Sequence, residues 1–123
     1  LAFGKINNCY IVCLPGNPVS VQLLHGMLIN PLILKLCGGD LELPSKSKIQ
    51  VNFDMKKKTN RMEWLRVSKI TKNNKDFVNK YPKQGSGMIS SISYSNGIIE
   101  IDEKISMIKK GDFFDFYEFK SLF

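Results

Sequence analysis

The sequence predicts a mixed fold: a strand and a long helix, followed by a small all-β, barrel-like domain. Three observations carry this. Tyr10–Leu36 reads as an apolar strand, a Pro-Gly turn and a long apolar helix. From Lys48 onward the pattern changes to short runs broken by turn residues, roughly every 8–12 positions, as small barrels require. Charge changes at the same place. Of the 18 Lys and Arg and 11 Asp and Glu, only Lys5, Lys35, Asp40 and Glu42 precede Pro44, so the whole formal charge of +7 lies beyond it.

Leu1–Asn8 is expected to be an irregular lead-in with a turn at Lys5–Asn8. Its Leu-Ala-Phe-Gly start has neither Met nor a basic, apolar secretory pattern, and looks cut from a longer protein. Tyr10–Leu14 has no polar alternation, the pattern of a strand covered on both faces. Pro15-Gly16 breaks it. Asn17 is a good N-cap, and Pro18 fits the first helical position, where its missing N–H costs nothing. Free first-turn amides, the helix dipole and the Ser20 hydroxyl would suit an oxyanion; equally, many capped turns of this kind bind nothing.

The helix should run from about Pro18 to Leu36. Val19, Leu23, Met27, Pro31 and Leu34 form one stripe, with Leu24, Leu28 and Leu32 beside it, so burial over much of its girth is expected. Pro31 should bend or restart it after Asn30, and Gly38-Gly39 should end it. No uninterrupted apolar run approaches 20 residues, so no membrane span is expected. His25 has no partner at helical spacing and reads as a packed or half-exposed imidazole.

Asp40–Ser47 is a linker. Lys48–Phe53 and Met62–Ile70 read as strands, with Leu65 and Val67 on the face opposite Trp64. The Lys56–Lys58 run between them reads as a solvated loop. Lys72–Asp76 is a turn, Phe77–Tyr81 a strand, Gln84–Gly87 a glycine-rich bend and Asn96-Gly97 a tight turn. Ile98–Ile101 and Phe113–Phe119 are strands flanking a turn at Lys109–Asp112, with no helix in this half.

Chemistry is sparse. Cys9, Cys13 and Cys37 lack zinc spacing, and an odd count without a signal points to reduced thiols in a cytoplasmic location, with Cys13 buried in its strand. No Ser-His-Asp or Cys-His set has a credible partner arrangement. Three features suit an anion: the Pro15–Ser20 turn, the Arg61 and Arg66 guanidiniums flanking MEWL, and Gln84–Ser91, where backbone amides around Gly85 and Gly87 could form a nest beside Ser86, Ser90 and Ser91. A surface Arg and a corner-turning glycine bend account for the last two without any ligand.

In order and spacing, LPGNPVSV, a helix ending LKLCG, RMEWLRV, QGSGMISSISYSNGIIEIDE and KKGDFFDFYEF resemble the carboxy-terminal part of the molybdopterin molybdenumtransferase family, which includes the gephyrin E domain. The resemblance implies that residues 1–42 are the end of an α/β molybdopterin-binding domain and residues 44–123 the small terminal β domain. It implies insertion of molybdate into adenylylated molybdopterin, with release of AMP, by a homodimer. Magnesium is the implied metal, with its ligands outside this sequence, and the fragment alone should be inactive. The resemblance places Pro15, Gly16, Asn17, Pro18, Ser20, Arg66, Ser86 and Ser91 at the pterin and molybdate site. Nucleic acid and membrane are not expected partners. Two rival readings stay open: a basic barrel that stacks single-stranded nucleic acid on Trp64, Phe77, Tyr81 and Tyr94, and a scaffold domain that binds a peptide, as in gephyrin.

Overall fold

The computed structural model describes residues 1–82 and 89–123. Five strands close into a barrel: β3 (Ser47–Val51), β5 (Glu63–Lys72), β6 (Lys75–Lys80), β7 (Gly97–Ile101) and β9 (Phe113–Glu118), in the order β3-β6-β5-β7-β9. Only β3–β6 is parallel; the other pairs are antiparallel. The alternation read from the sequence sets the inward face. Ile49 and Val51, Leu65 and Val67, Ile99 and Ile101, and Phe114 and Phe116 fill the interior with Val78 and Ile108. A separate two-residue pair, β4 (Met55–Lys56) with β8 (Met107–Ile108), is formed by segments between barrel strands and adds Met55 and Ile108 to that core.

Two turns follow their residues closely. Asn73 and Asn74 both have positive φ (51° and 58°) between β5 and β6, a conformation Asn tolerates better than most residues. Gly111 takes φ +100° before β9. Asn96-Gly97, by contrast, is no hairpin turn. A short helix α2 (Ser90–Ser93) leads into Asn96, and Gly97 is the first residue of β7. A Cβ on Gly97 would stand 2.3 Å from the Tyr117 carbonyl oxygen and 2.5 Å from the Phe116 ring. Glycine is required there for close approach. A second short helix, α3 (Phe119–Leu122), follows β9, so the all-β half carries two helical turns that its strand-like pattern did not predict.

The first part differs more from expectation. Leu1–Asn8 is not irregular: β1 (Ala2–Ile6) pairs antiparallel with β2 (Cys9–Cys13) through a turn in which Asn7 has φ +53°. Nor is β2 buried. A two-stranded ribbon has no third layer, and Cys13, expected inside, is exposed with Cys9 and Cys37. Phe3 and Ile6 are both 62% exposed.

Helix α1 (Pro18–Leu36) is continuous, 19 residues long, and by length and composition apolar enough to cross a membrane, contrary to the expectation from run length. Its Val19, Leu23 and Met27 are instead buried against Ile98, Tyr117 and Leu122. Gly26 and Pro31 are buried as well, while Leu28, Ile33, Leu34 and Leu36 are exposed. Pro31 does not break the helix. The preceding turn, His25–Ile29, widens to a π-helix, and the Asn30 N–H donates to the His25 carbonyl five residues back. A proline lacks an N–H and crowds the carbonyl four residues earlier, so a wider turn ahead of it relieves the conflict. Gly38, at φ +91°, ends the helix as expected, with the Gly39 N–H returning to the Leu34 carbonyl.

β7 shows why its start, Ile98-Ile99, has no polar alternation. Ile99 and Ile101 point into the barrel, and Ile98 points out under α1. Both faces of this strand are covered, one by each cluster.

Candidate functional site

Where α1 starts, its first turn faces the outer surface of β5. Between them lies a cleft of about 520 Å³, lined by Pro15, Val19, Ser20, Leu23 and Leu24 on one side and Arg61–Arg66 on the other. The strand period explains the second wall. Leu65 and Val67 point inward, so Trp64 and Arg66 point outward toward the helix. Trp64 packs against the helix–barrel cluster, and its indole N–H donates to Glu100 (3.0 Å).

Arg66 is only 5% exposed. Burial pushes its guanidinium down from its ordinary value, but an Arg keeps its charge throughout the ordinary pH range. A cation held away from water interacts more strongly with an anion than one in bulk solvent. Arg61 adds a second guanidinium to the lining, and Glu63 is the one carboxylate there among the described residues.

The turn before α1 works differently from the expectation. Asn17 Oδ1 accepts from the Val19 N–H (3.1 Å) and the Ser20 N–H (3.2 Å), and the Val21 N–H donates to the Asn17 carbonyl (2.9 Å). Pro18 has no N–H to offer. The first turn therefore has no free amide left for a ligand; Asn17 serves as the cap that consumes them. What this turn contributes to the cleft lining is Ser20 and Pro15.

The structure thus brings together Pro15, Ser20 and Arg66. Gly16, Asn17 and Pro18 lie in the adjacent turn but not on the lining, and Ser91 is fully buried in α2, also off the lining. Ser86 and most of the Gln84–Ser91 segment lie outside the described residues.

One residue was misread from the sequence. Lys57, placed in a solvated loop, is 8% exposed. Its ammonium donates to the carbonyls of Lys58 (3.0 Å), Asp102 (3.3 Å) and Arg61, so it fixes the connection that delivers Arg61 to the cleft. A run of three lysines gives no sign of which one turns inward. For magnesium the donors do not fit: among the described residues no group of three His, Cys, Asp or Glu could hold a metal ion.

The comparisons with known proteins point one way. The sequence model of the MoeA C-terminal region (domain IV) matches residues 48–119. The chain belongs to the MoeA C-terminal family. A molybdopterin molybdenumtransferase of Haemophilus influenzae is 30% identical over 113 residues, which cover 90% of this chain but 28% of that protein. The molybdopterin biosynthesis MoeA protein of Pyrococcus horikoshii OT3 superposes with a TM-score of 0.69 at 25% identity, covering 94% of this chain and 29% of that one. A molybdenum cofactor biosynthesis protein of Pyrococcus furiosus shares the fold, with a TM-score of 0.67 at 23% identity, covering 94% of this chain and 40% of that one. The MoeA match thus embraces α1 and the hairpin as well as the barrel, while the chain spans under a third of the curated relative's length.

Proposed function

We propose that this chain forms one wall of the substrate site of a molybdopterin molybdenumtransferase, the enzyme that inserts molybdate into adenylylated molybdopterin. The observation that carries the reading is the cleft in which a buried Arg66 faces the Ser20 turn. Molybdate is a tetrahedral dianion. A guanidinium offers two parallel donors to two of its oxygens, and a hydroxyl can donate to a third. Neither contact needs a protein-made metal cage. The apolar wall of Val19, Leu23, Leu24 and Trp64 keeps water from competing for those donors and gives a flat ring such as a pterin a surface to lie on.

Arg66, Ser20 and the apolar wall bind and orient, and Glu63 is the one carboxylate in the described lining. One carboxylate supplies neither a metal cage nor an acid–base pair, so the magnesium ligands and further acid–base groups belong to the part of the enzyme that this chain does not span, and the chain alone is inactive. The exposed Phe3, Ile6, Tyr10, Ile11, Ile33 and Leu36 support that division. Exposed apolar side chains on the hairpin and on α1 suit contact with the remainder of the enzyme.

The test is Arg66→Ala in the full-length polypeptide that carries this sequence. Losing a charge-assisted contact of about 1.5–3 kcal/mol weakens molybdate retention by roughly tenfold to a hundredfold. Wild-type retention and wild-type cofactor output in that variant would remove Arg66 from the site.

A further inference from the structure

The barrel carries a second concave site, away from the cleft and sharing no residue with it. Asn52, Ile70, Lys72, Asn73, Lys75, Phe77, Asn79 and Lys110 line about 410 Å³ at the β5–β6 turn and the adjoining end of β3. That volume is in the range of small-molecule pockets, about 300–1,000 Å³. The lining is ordered by chemistry. Ile70 and Phe77 are direct cross-strand partners and give an apolar, half-buried floor. Lys72, Lys75 and Lys110 stand around it, and none of the three ammonium groups has an ion-pair partner among the described residues.

No carboxylate contributes to the described lining. Asp76, beside Lys75 in the sequence, is engaged elsewhere, by Lys69 (3.0 Å) and the Thr71 hydroxyl (2.6 Å). The carboxamides add polarity of a definite kind. Asn52 Nδ2 donates to Asn79 Oδ1 (3.1 Å). This leaves an acceptor on Asn52 and donor hydrogens on Asn79 without another partner among the described residues. An apolar floor with an aromatic ring, one donor–acceptor pair and three lysines against one neighbouring carboxylate, Asp54, whose Oδ1 accepts from the Lys110 N–H (2.7 Å), match a flat heterocycle joined to phosphate.

The geometry points to a nucleotide-binding site at this end of the barrel: the base over Phe77 and Ile70, its edge at Asn52 and Asn79, and the phosphate among Lys72, Lys75 and Lys110. A free nucleotide and a nucleotide within a single strand share that chemistry. The reading is independent of the molybdate cleft, because the two sites draw on different stretches of β5 and share no residue.

The experiment titrates the ¹⁵N-labelled 123-residue chain with AMP, with a ten-residue oligoadenylate and with inorganic phosphate. Amide shifts should be confined to Asn52, residues 70–79 and Lys110. The variant Lys72→Glu/Lys75→Glu/Lys110→Glu should bind at least roughly tenfold more weakly, with the slope against salt reduced. Phe77→Leu, which keeps apolar volume but loses the ring, should weaken binding by roughly fivefold or more. Tighter binding of the strand than of AMP assigns the site to single strands; equal binding assigns it to the free nucleotide. Shifts that map to the Ser20–Arg66 cleft, inorganic phosphate binding as well as AMP, or an unaffected lysine variant would each overturn the assignment.

Discussion

Leu23→Ala should loosen α1 from the barrel while leaving the barrel intact. Leu23 is 4% exposed and is the middle of three buried residues, Val19, Leu23 and Met27, that α1 sets against Ile98, Tyr117 and Leu122. Burying three such side chains stabilises docking by roughly 5–9 kcal/mol gross, at about 1.5–3 kcal/mol each. Removing the central one costs about 2–5 kcal/mol, because the neighbours on a stiff barrel wall collapse only partly into the space. The change therefore takes away a large fraction of the attachment. The barrel interior, built from Ile49, Val51, Leu65, Val67 and their partners, does not include Leu23. The chain has a single tryptophan, and Trp64 lies in the cleft beside this cluster, so its emission reports helix docking. In a urea titration the variant should show a red shift of Trp64 at lower denaturant than the loss of far-ultraviolet strand signal, with the two coincident in the wild type. Coincident transitions in the variant, or a midpoint shift equivalent to less than about 0.5 kcal/mol, typical of an inert surface change, would refute the docking account and with it the rigid placement of Ser20 opposite Arg66.

Other perturbations test separate parts. Gly97→Ala forces a Cβ into the Tyr117 carbonyl and the Phe116 ring and should destabilise the barrel by about 3 kcal/mol; an unchanged melting temperature would show that the strands separate freely there. Asn17→Ala removes the cap and should cost about 1 kcal/mol of stability, read by thermal unfolding, while Asn17→Ser should recover most of it. Lys57→Met leaves the carbonyls of Lys58, Arg61 and Asp102 without their shared donor; a loss of about 2 kcal/mol, with faster hydrogen exchange around residues 57–61, is expected, and unchanged exchange would contradict the anchor role. Asp115 is held below its ordinary value of 3.8, first by the hydrogen bond from Lys46 and then by that from Lys48. A carboxylate depressed in the folded state contributes stability that is present above its unfolded value and is lost as pH falls through the folded one. Wild-type stability should therefore fall below about pH 4 more steeply than that of Asp115→Asn; parallel acid limbs would remove this linkage.

Much of the barrel was legible because its strands obey a two-residue period. Leu65 and Val67 opposite Trp64, and the turns at Asn73-Asn74 and Gly111, follow from local chemistry that packing then reinforces. The hairpin, α1 and α2 were less so. Tyr10–Leu14 is apolar because something must cover it, but apolarity does not say whether the cover is part of the same chain segment, and here β2 pairs with β1 and is otherwise exposed. The wide apolar arc of α1 led to the expectation of all-round burial for the same reason. Asn96-Gly97 has the composition of a hairpin turn, yet the glycine is dictated by a neighbour 20 residues away in sequence, which no local pattern encodes.

The cleft was partly legible. Arg66 and Ser20 stand out by residue type, and strand alternation puts Arg66 on the helix-facing side. The amide-based anion site did not survive the geometry, since Asn17, chosen as a good cap, occupies the donors that a ligand would need. Lys57 was invisible for the opposite reason: its partners are backbone carbonyls, which every sequence has.

The most direct measurement is a transplant. This chain replaces the matching carboxy-terminal portion of the Haemophilus influenzae molybdopterin molybdenumtransferase, and purified hybrid is supplied with adenylylated molybdopterin and molybdate. The account predicts cofactor formation by the hybrid at limiting molybdate, cut roughly tenfold to a hundredfold by Arg66→Ala and reduced by Ser20→Ala, with both variants folded by circular dichroism. A folded hybrid whose output is indifferent to both substitutions would contradict it.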